Sequence, residues 1–490
     1  MTSGIHHLTL ITRDVQANVD FYAGFLGLRL VKQTGGYEDA EQLHLFYGDK
    51  LGSPGSLITF LVWQDGSLGR VGHGQVSEIA LAVPPTSIGY WLTRALTQQV
   101  PAEGPRQEFG EPVLRLRDPD GVVVKLVGTE MPAAAPWVAP GIEPGDAILR
   151  LRGATILSET PEETAHFVGR FGYRPAAKAS GVQRLVSESG DVIDVREAAG
   201  FWPGAPGTGV ADHVAFRAED VAAVTAAEAS LARLNSSITN RHDRKYFTSL
   251  YVREPGGTLI ELATDGPGFT VDEPEQELGS TLMVPPSDAG RADAIKVVLP
   301  QFARPGEPRL TYRDLPFVHR FHVPDQDDGS TIVLLHGTGG NEADLMPLAH
   351  RVAPGASLLG LRGRSTEEGT ARWFRRLGES EFDQADIRAE AEAFAAFVEG
   401  AVKGYGLNPA RTTWLGYSNG ANFLAAAMRL HPGLIRRAVL LRAVDVLEEQ
   451  PLADLSETEA LIVRGGTDPH GPGAASLADT LRKAGGKIDL

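Results

Sequence analysis

Two stretches of this chain are copies of one another. LRLRDPDGVVVKLVG at residues 114–128 and LYVREPGGTLIELAT at residues 250–264 keep Arg, Pro, Gly and Leu in matching places, with Arg117 and Arg253 standing 136 residues apart. A repeat of this kind limits the fold more than any single motif, because each copy must be one supersecondary unit that buries its apolar face against another copy. Each copy reads as strand, Asp/Glu-Pro-x-Gly turn, strand: Pro and Gly supply the turn geometry, and the flanking β-branched residues suit a pleated surface.

Ahead of each copy lies a similar opening, SEIALAV at Ser77 and DHVAFRA at Asp212, followed by a helical stretch. Two further openings, HHLTLIT from His6 and RGATILS from Arg152, bring the count to four repeats of about 60–70 residues within the first 265. The expected organisation is two pseudo-symmetric halves, 1–135 and 145–268. A Pro- and acid-rich linker, 269–309, follows, with a domain boundary near residue 305. From 310 to 490 apolar strands alternate with amphipathic helices: TIVLLHG, helices near 343–352 and 386–405, TTWLGYS, another helix, and ALIVRGG. That alternation predicts a mostly parallel sheet covered by helices on both faces.

A chain of 490 residues fits several folding units of ordinary size. Its net charge of −16, with no long block of Lys or Arg, argues against nucleic acid or an anionic membrane as partner and leaves small molecules. The absence of cysteine excludes disulfides and thiolate metal sites, so a metal would be held by imidazole and carboxylate, as Fe(II), Mn(II) or Zn(II) are. No basic leader and no run of ~20 apolar residues is present, which makes the cytoplasm the expected location. Homo-oligomerisation is left open.

The repeats point to a site. His213 opens repeat four and Glu261 ends it, while His7 opens repeat one at the equivalent place. Together they form the two-His, one-carboxylate set that leaves coordination positions free for substrate and oxygen. Repeat two is an internal control: Glu78 replaces His213 and Lys125 replaces Glu261, so it cannot bind metal in the same way. An ion pair between them is expected in this disused copy. Asp194 in repeat three is a competing carboxylate without an accompanying His. His242 and His319 read as ordinary surface histidines.

GIHHLTLIT, VDFYAGFLGLRLVKQT, DHVAFR and DRKYFTSLYVREPGGTLIELATDGPGFT resemble the ring-cleaving dioxygenases of the vicinal oxygen chelate (glyoxalase/extradiol) superfamily, especially the hydroquinone-cleaving group. The resemblance covers about residues 1–300 and implies an α+β fold of four βαβββ repeats in two halves. It also implies metal binding by His7, His213 and Glu261, with Fe(II) first and Mn(II) as alternative. His6, Thr9, Arg244 and Tyr251 are then placed near an aromatic substrate that reacts with O2. Asp212 stands where family members often have a second His. The implied reaction is extradiol-type opening of a hydroquinone or catechol-like ring. A glyoxalase-type isomerase, a thiol transferase, or a non-catalytic module that sequesters aromatics are the alternatives, since fold does not dictate chemistry.

In the C-terminal part, Ser418 sits in GYSNGA between a strand and a helix, the setting of a nucleophile elbow. Backbone N–H groups near Thr338, in LLHGTGG, and at Asn419 are candidates for an oxyanion hole. Asp468, in RGGTDPH, follows a late strand where the acid of a triad should lie. The region resembles the phospholipase/carboxylesterase branch of the α/β-hydrolases. In that family the catalytic His comes after the next helix and strand, here ASLADTLRKAG and KIDL, and no such His is found; His470 stands only two residues from Asp468. Weak or absent esterase activity is the expectation.

Overall fold

The computed structural model describes residues 4–233, 238–309, 314–378, 381–448, 453–466 and 471–490. The chain divides into two domains, Met1–Gly290 with Phe302–Pro308, and Arg291–Gln301 with Arg309–Leu490.

Each repeat of the first domain is strand, helix and three strands. Repeat one is β1 (Ile5–Thr12), α1 (Val15–Val19) running into a π-helical turn (Asp20–Phe25), β2 (Arg29–Gly35), β3 (Leu43–Gly48) and β4 (Leu57–Val62). Repeat two is β5 (Gln75–Val83), α2 (Ile88–Thr97), β6 (Ala102–Glu108), β7 (Glu111–Arg117) and β8 (Val123–Gly128). Repeat three is β9 (Arg150–Ser158), α3 (Pro161–Gly169), β10 (Arg174–Ala179), β11 (Val182–Val186) and β12 (Val192–Glu197). Repeat four is β13 (Ala211–Ala218), α4 (Val221–Ala232), β14 (Asn240–Asp243), β15 (Thr248–Arg253) and β16 (Leu259–Thr264).

Local chemistry explains the recurrence. The helices of repeats one and four start at the same place because Asp14 and Asp220 accept the N–H groups of Ala17 and Ala223, at 3.0 and 2.8 Å. The acid of each Asp/Glu-Pro-x-Gly turn holds that turn: Asp118 accepts from the amides of Asp120 and Val122, and Glu254 from those of Gly256 and Thr258.

The repeats pair outer with outer and inner with inner. One sheet has the order β14-β15-β16-β13-β1-β4-β3-β2 and joins repeats four and one through antiparallel β1 and β13; the other, β10-β11-β12-β9-β5-β8-β7-β6, joins repeats three and two. The sequence halves 1–135 and 145–268 therefore each contribute one repeat to each sheet. Four similar opening strands carry no mark of which two will meet, so self-comparison alone does not reveal this exchange.

The stretch read as a linker is divided between the domains. Its β17 (Leu282–Met283) extends the first sheet beside β2. Its α5 (Ala292–Val298) instead joins the second domain, where Val297 and Val298 pack with Leu334, Met346 and Leu358.

The second domain carries β18 (His319–His322), β19 (Thr331–Leu335), α6 (Met346–Val352), β20 (Ser357–Leu361), a small hairpin of β21 (Ser365–Glu367) and β22 (Thr370–Arg372), and α7 (Gln384–Tyr405). Next come β23 (Thr412–Tyr417), α8 (Asn419–Leu430), β24 (Arg437–Leu441), β25 (Glu459–Val463), α9 (Gly471–Lys483) and β26 (Lys487–Asp489). The main sheet runs β18-β20-β19-β23-β24-β25-β26 and is parallel except for β18, the α/β-hydrolase arrangement. No helix among the described residues is long and apolar enough to cross a membrane.

Candidate metal centre and substrate cavity

His7, Ala215 and Glu261 lie side by side on β1, β13 and β16, as the registers His7↔Ala215 and Ala215↔Glu261 show. His213 stands two residues before Ala215 and so faces the same side of the sheet. Ala215, fully buried, is the small residue that leaves room for three longer side chains to meet over it. One ligand atom from each of His7, His213 and Glu261 falls within 4.8 Å of the others. His7 Nε2 is 3.2 Å from Glu261 Oε2 and 3.2 Å from His213 Nε2, and His213 Nε2 is 2.7 Å from Glu261 Oε2.

Despite those short separations, Glu261 Oε2 is buried without a hydrogen-bond partner among the described residues. Leaving such an atom unsatisfied is costly. The three donors converge on a common point, and the buried N,N,O set suits a divalent transition metal. The residues fit a mononuclear centre.

Each ligand is held from behind. Glu261 Oε1 accepts from Ser249 Oγ at 2.5 Å. His213 Nδ1 lies 2.7 Å from Asp212 Oδ2, which places the proton on Nδ1 and the lone pair on Nε2, toward the centre. Asp212 thus serves as the orienting carboxylate of its own neighbour. His7 Nδ1 is 2.9 Å from His6 Nδ1. Adjacent strand residues normally point to opposite faces; here a register shift between Ile5 and His7 turns the pair toward each other.

The electrostatics follow from this crowding. Burial disfavours charge on Glu261, but His7 and His213 hold its carboxyl well below the usual range. Burial also opposes a proton on His213, yet the carboxylates of Asp212 and Glu261 raise its pKa. Burial, with His7 beside it, pushes His6 down to about 3 and keeps it neutral.

A cavity of about 640 Å³ opens onto the centre, lined by His7 and His213 together with Thr9, His44, Arg244 and Tyr251. That size suits a small aromatic compound. Arg244 Nη2 donates to Glu38 at 2.7 Å and approaches Tyr251 Oη at 3.5 Å. Burial and the nearby Glu261 charge push the Tyr251 phenol up, so it stays protonated. His6 does not line the cavity; it backs His7. His44 had no signal in the sequence, because a single His in LHLFYG belongs to no repeated position.

Of the surface histidines, His242 is partly buried with its ring 6.0 Å from that of Tyr251. His319 is hydrogen-bonded to the Phe317 carbonyl and to Tyr405 Oη. Both sit on edge strands. Both remain partly exposed and lie away from the three converging side chains.

In the other sheet Lys125 Nζ lies 3.2 Å from Glu78 Oε2, the expected ion pair. Gly153 takes the place of His7, since Ala80 pairs with both Lys125 and Gly153 as Ala215 does with Glu261 and His7. Asp194 is bound through both carboxylate oxygens by Arg184, each at 2.8 Å.

In the second domain Ser418 has φ 50° and ψ −113°, the strained backbone of a sharp strand-to-helix elbow. A Cβ at Gly420 would come 2.3 Å from the Leu335 carbonyl oxygen, and one at Gly416 2.7 Å from the Ala421 backbone, so the motif's glycines are required by contact. Thr338 and Asn419 follow the adjacent strands β19 and β23. Arg372 Nη1 donates to Thr338 Oγ1 at 3.2 Å, and Asn419 Oδ1 accepts from the Trp373 amide at 2.9 Å. Buried His336 is occupied at both ring nitrogens, by Gly337 O and Gly363 N–H. Asp468 and His470 lie outside the described residues.

The family model of the Glyoxalase/Bleomycin resistance protein/Dioxygenase superfamily matches residues 4–126. Over 287 residues the chain is 37% identical to a candidate ring-cleaving dioxygenase of Bacillus subtilis, MhqO, covering 58% of this chain and 91% of that protein. This chain belongs to the ring-cleaving dioxygenases of the glyoxalase superfamily. A chlorohydroquinone/hydroquinone 1,2-dioxygenase of Sphingobium indicum is 33% identical over 305 residues, 60% of this chain and 94% of that one. The crystal structure of a candidate dioxygenase from Bacillus subtilis aligns with a TM-score of 0.59 at 36% identity, over 62% of this chain and 98% of that chain. A separate Bacillus subtilis protein, the candidate hydrolase MhqD, is 35% identical over 140 residues, 29% of this chain and 70% of its own length. The metal-dependent dioxygenase is thus joined to a hydrolase fold.

Proposed function

We propose that the first domain opens the ring of a hydroquinone or catechol-like compound with O2, in an extradiol-type reaction, at Fe(II) held by His7, His213 and Glu261. Mn(II) is the alternative metal. The observation that carries this reading is the buried, unbonded Glu261 Oε2 with two imidazole nitrogens aimed at the same point. A metal there supplies redox chemistry toward O2 and lowers the pKa of a ring hydroxyl that it coordinates.

The chain's own residues do the rest. Asp212 and Ser249 orient the ligands, and neutral His6 pairs with His7 Nδ1, leaving Nε2 for the metal. Arg244 gives the cavity a positive charge that favours a phenolate, while the Tyr251 phenol can donate to an oxygen of the ring and pass on a proton. Phe46 and Phe247 provide apolar wall. In the second domain the elbow at Ser418 supports a serine-hydrolase-like site with Thr338, Asn419 and, from the sequence, Asp468; its esterase activity is expected to be weak or absent, and turnover of an activated ester abolished by Ser418→Ala would contradict this.

The test is oxygen-electrode measurement on anaerobically Fe(II)-loaded protein with a panel of hydroquinones and catechols, comparing wild type with His213→Ala. Uptake that needs Fe(II), a ring diol and His213 is expected. Metal binding without oxygen uptake on any ring would favour the isomerase or transferase chemistry instead.

A further inference from the structure

We propose that His44 grips the ring substituent opposite the oxygen anchored at the His7–His213–Glu261 centre, and so makes the cavity selective for rings with oxygens across the ring rather than side by side. This rests on the ring-cleavage reading above and adds a specificity residue to it.

His44 lies on β3 and lines the cavity. Its Nε2 is 3.0 Å from Thr59 Oγ1, which is 2.9 Å from Thr9 Oγ1. The ring packs on Phe46 with centroids 4.1 Å apart. Among the described residues Nδ1 has no hydrogen-bond partner, and it is not among the sealed-off polar atoms. The side chain is therefore held on one edge and on one face, with a single nitrogen left for a ligand in the cavity. Such fixing is what a recognition group needs.

Its chemistry matches a hydroxyl. Burial first, then the neighbouring His7 and Arg244, push His44 down to about 3, so the imidazole is neutral. The Thr59 hydroxyl can donate or accept, so Nδ1 can accept from or donate to a phenolic O–H, which itself does both. A carboxylate would find its cation at Arg244 instead.

The position matches as well. The sheet order β13-β1-β4-β3 puts β3 two strands from His7 and three from His213, with roughly 4.8 Å between neighbouring strands. Side chains that line the cavity from those strands are rooted roughly 10–14 Å apart, a span that one aromatic ring with its oxygens can bridge. The second oxygen of a catechol stays beside the first and does not cross that gap, whereas the second oxygen of a hydroquinone does.

The experiment is anaerobic equilibrium binding of hydroquinone, catechol and phenol to the metal-loaded full chain, read by intrinsic fluorescence, for wild type, His44→Phe, His44→Gln and Thr59→Val. Wild type should prefer hydroquinone to phenol by about fivefold to tenfold, the range of one neutral hydrogen bond. His44→Phe should bring that ratio to about one, His44→Gln should recover part of it, and Thr59→Val should fall between. In oxygen uptake the KM for hydroquinone should rise more than kcat falls. An unchanged ratio in His44→Phe, or an equal loss for all three ligands, would overturn the inference; if His44→Phe does not fold, His44→Gln and Thr59→Val decide by the same ratio. Wild type that discriminates in binding yet consumes no oxygen would defeat the ring-cleavage reading and leave the role of His44 standing.

Discussion

Replacing Asp212 tests how the centre is tuned, because this residue, which also lines the cavity, touches no metal-facing atom and reaches the centre through His213. Its Oδ2 sits 2.7 Å from His213 Nδ1, which fixes the tautomer and makes Nε2 more basic. Removing a partner of this kind weakens metal affinity by about 10- to 100-fold, or about 1.4–2.7 kcal/mol. The Asp212 side chain is 33% exposed, so solvent screening places Asp212→Asn near the tenfold end, with Asp212→Ala larger. The same contact raises the His213 pKa, and a metal must displace the second proton, the one on Nε2. Affinity should therefore climb with pH through the neutral range, by up to about tenfold per unit, and the climb should flatten in Asp212→Asn. Anaerobic Mn(II) titration against a chelator, followed by electron paramagnetic resonance at several pH values, measures both quantities. Wild-type affinity and slope in a folded Asp212→Asn protein would refute the reasoning.

Three other outcomes follow from the same geometry. Ala215→Val puts two methyl groups between His7 and Glu261 and should abolish tight metal binding while leaving circular dichroism intact; retained stoichiometric metal would contradict the placement. Burial works against charge on Glu78, but Lys125 and Arg115 outweigh it and hold that carboxyl down to about 2. Because the folded pKa is depressed, the stabilisation is present at neutral pH and is lost as pH falls from the ordinary carboxylate value toward 2. It amounts to on the order of 2–3 kcal/mol, so the urea-unfolding difference between wild type and Glu78→Gln should shrink toward pH 2.5, and a constant difference would count against it. Gly420→Ala drives a Cβ into the Leu335 carbonyl and should destabilise the second domain by about 1–3 kcal/mol despite the better helix propensity of Ala, read by calorimetry; an unchanged transition would show that the elbow has room for a Cβ there.

Much of this was legible in the residues, for identifiable reasons. The Asp/Glu-Pro-x-Gly turns repeat because their carboxylates cap their own amides, and local chemistry of that kind survives in sequence. The convergence of His7, His213 and Glu261 could be read from equivalent repeat positions, and repeat two, with Glu78 and Lys125, gave a built-in contrast. The pairing of β1 with β13 could not be read, since all four opening strands share one pattern. Nor could His44 or Ala215: their importance lies in the cross-strand neighbours His7, Thr59 and Glu261, and register is a property of the folded sheet. Asp212 looked like a departure from its family only until its contact with His213 Nδ1 was visible. The second helix-covered sheet was evident from its alternation, whereas α5 lay within a Pro-rich stretch too short to show a helical period.

The most direct test of the central claim is ¹⁸O₂ labelling of the product formed by Fe(II)-loaded protein from a hydroquinone, with mass spectrometry of the opened ring. Retention of both oxygen atoms, allowing for exchange with water calibrated on the isolated product, is predicted, and the labelled product should vanish in His213→Ala. An opened ring that carries no label, or label that persists without His213, would contradict a dioxygenase centre built on His7, His213 and Glu261.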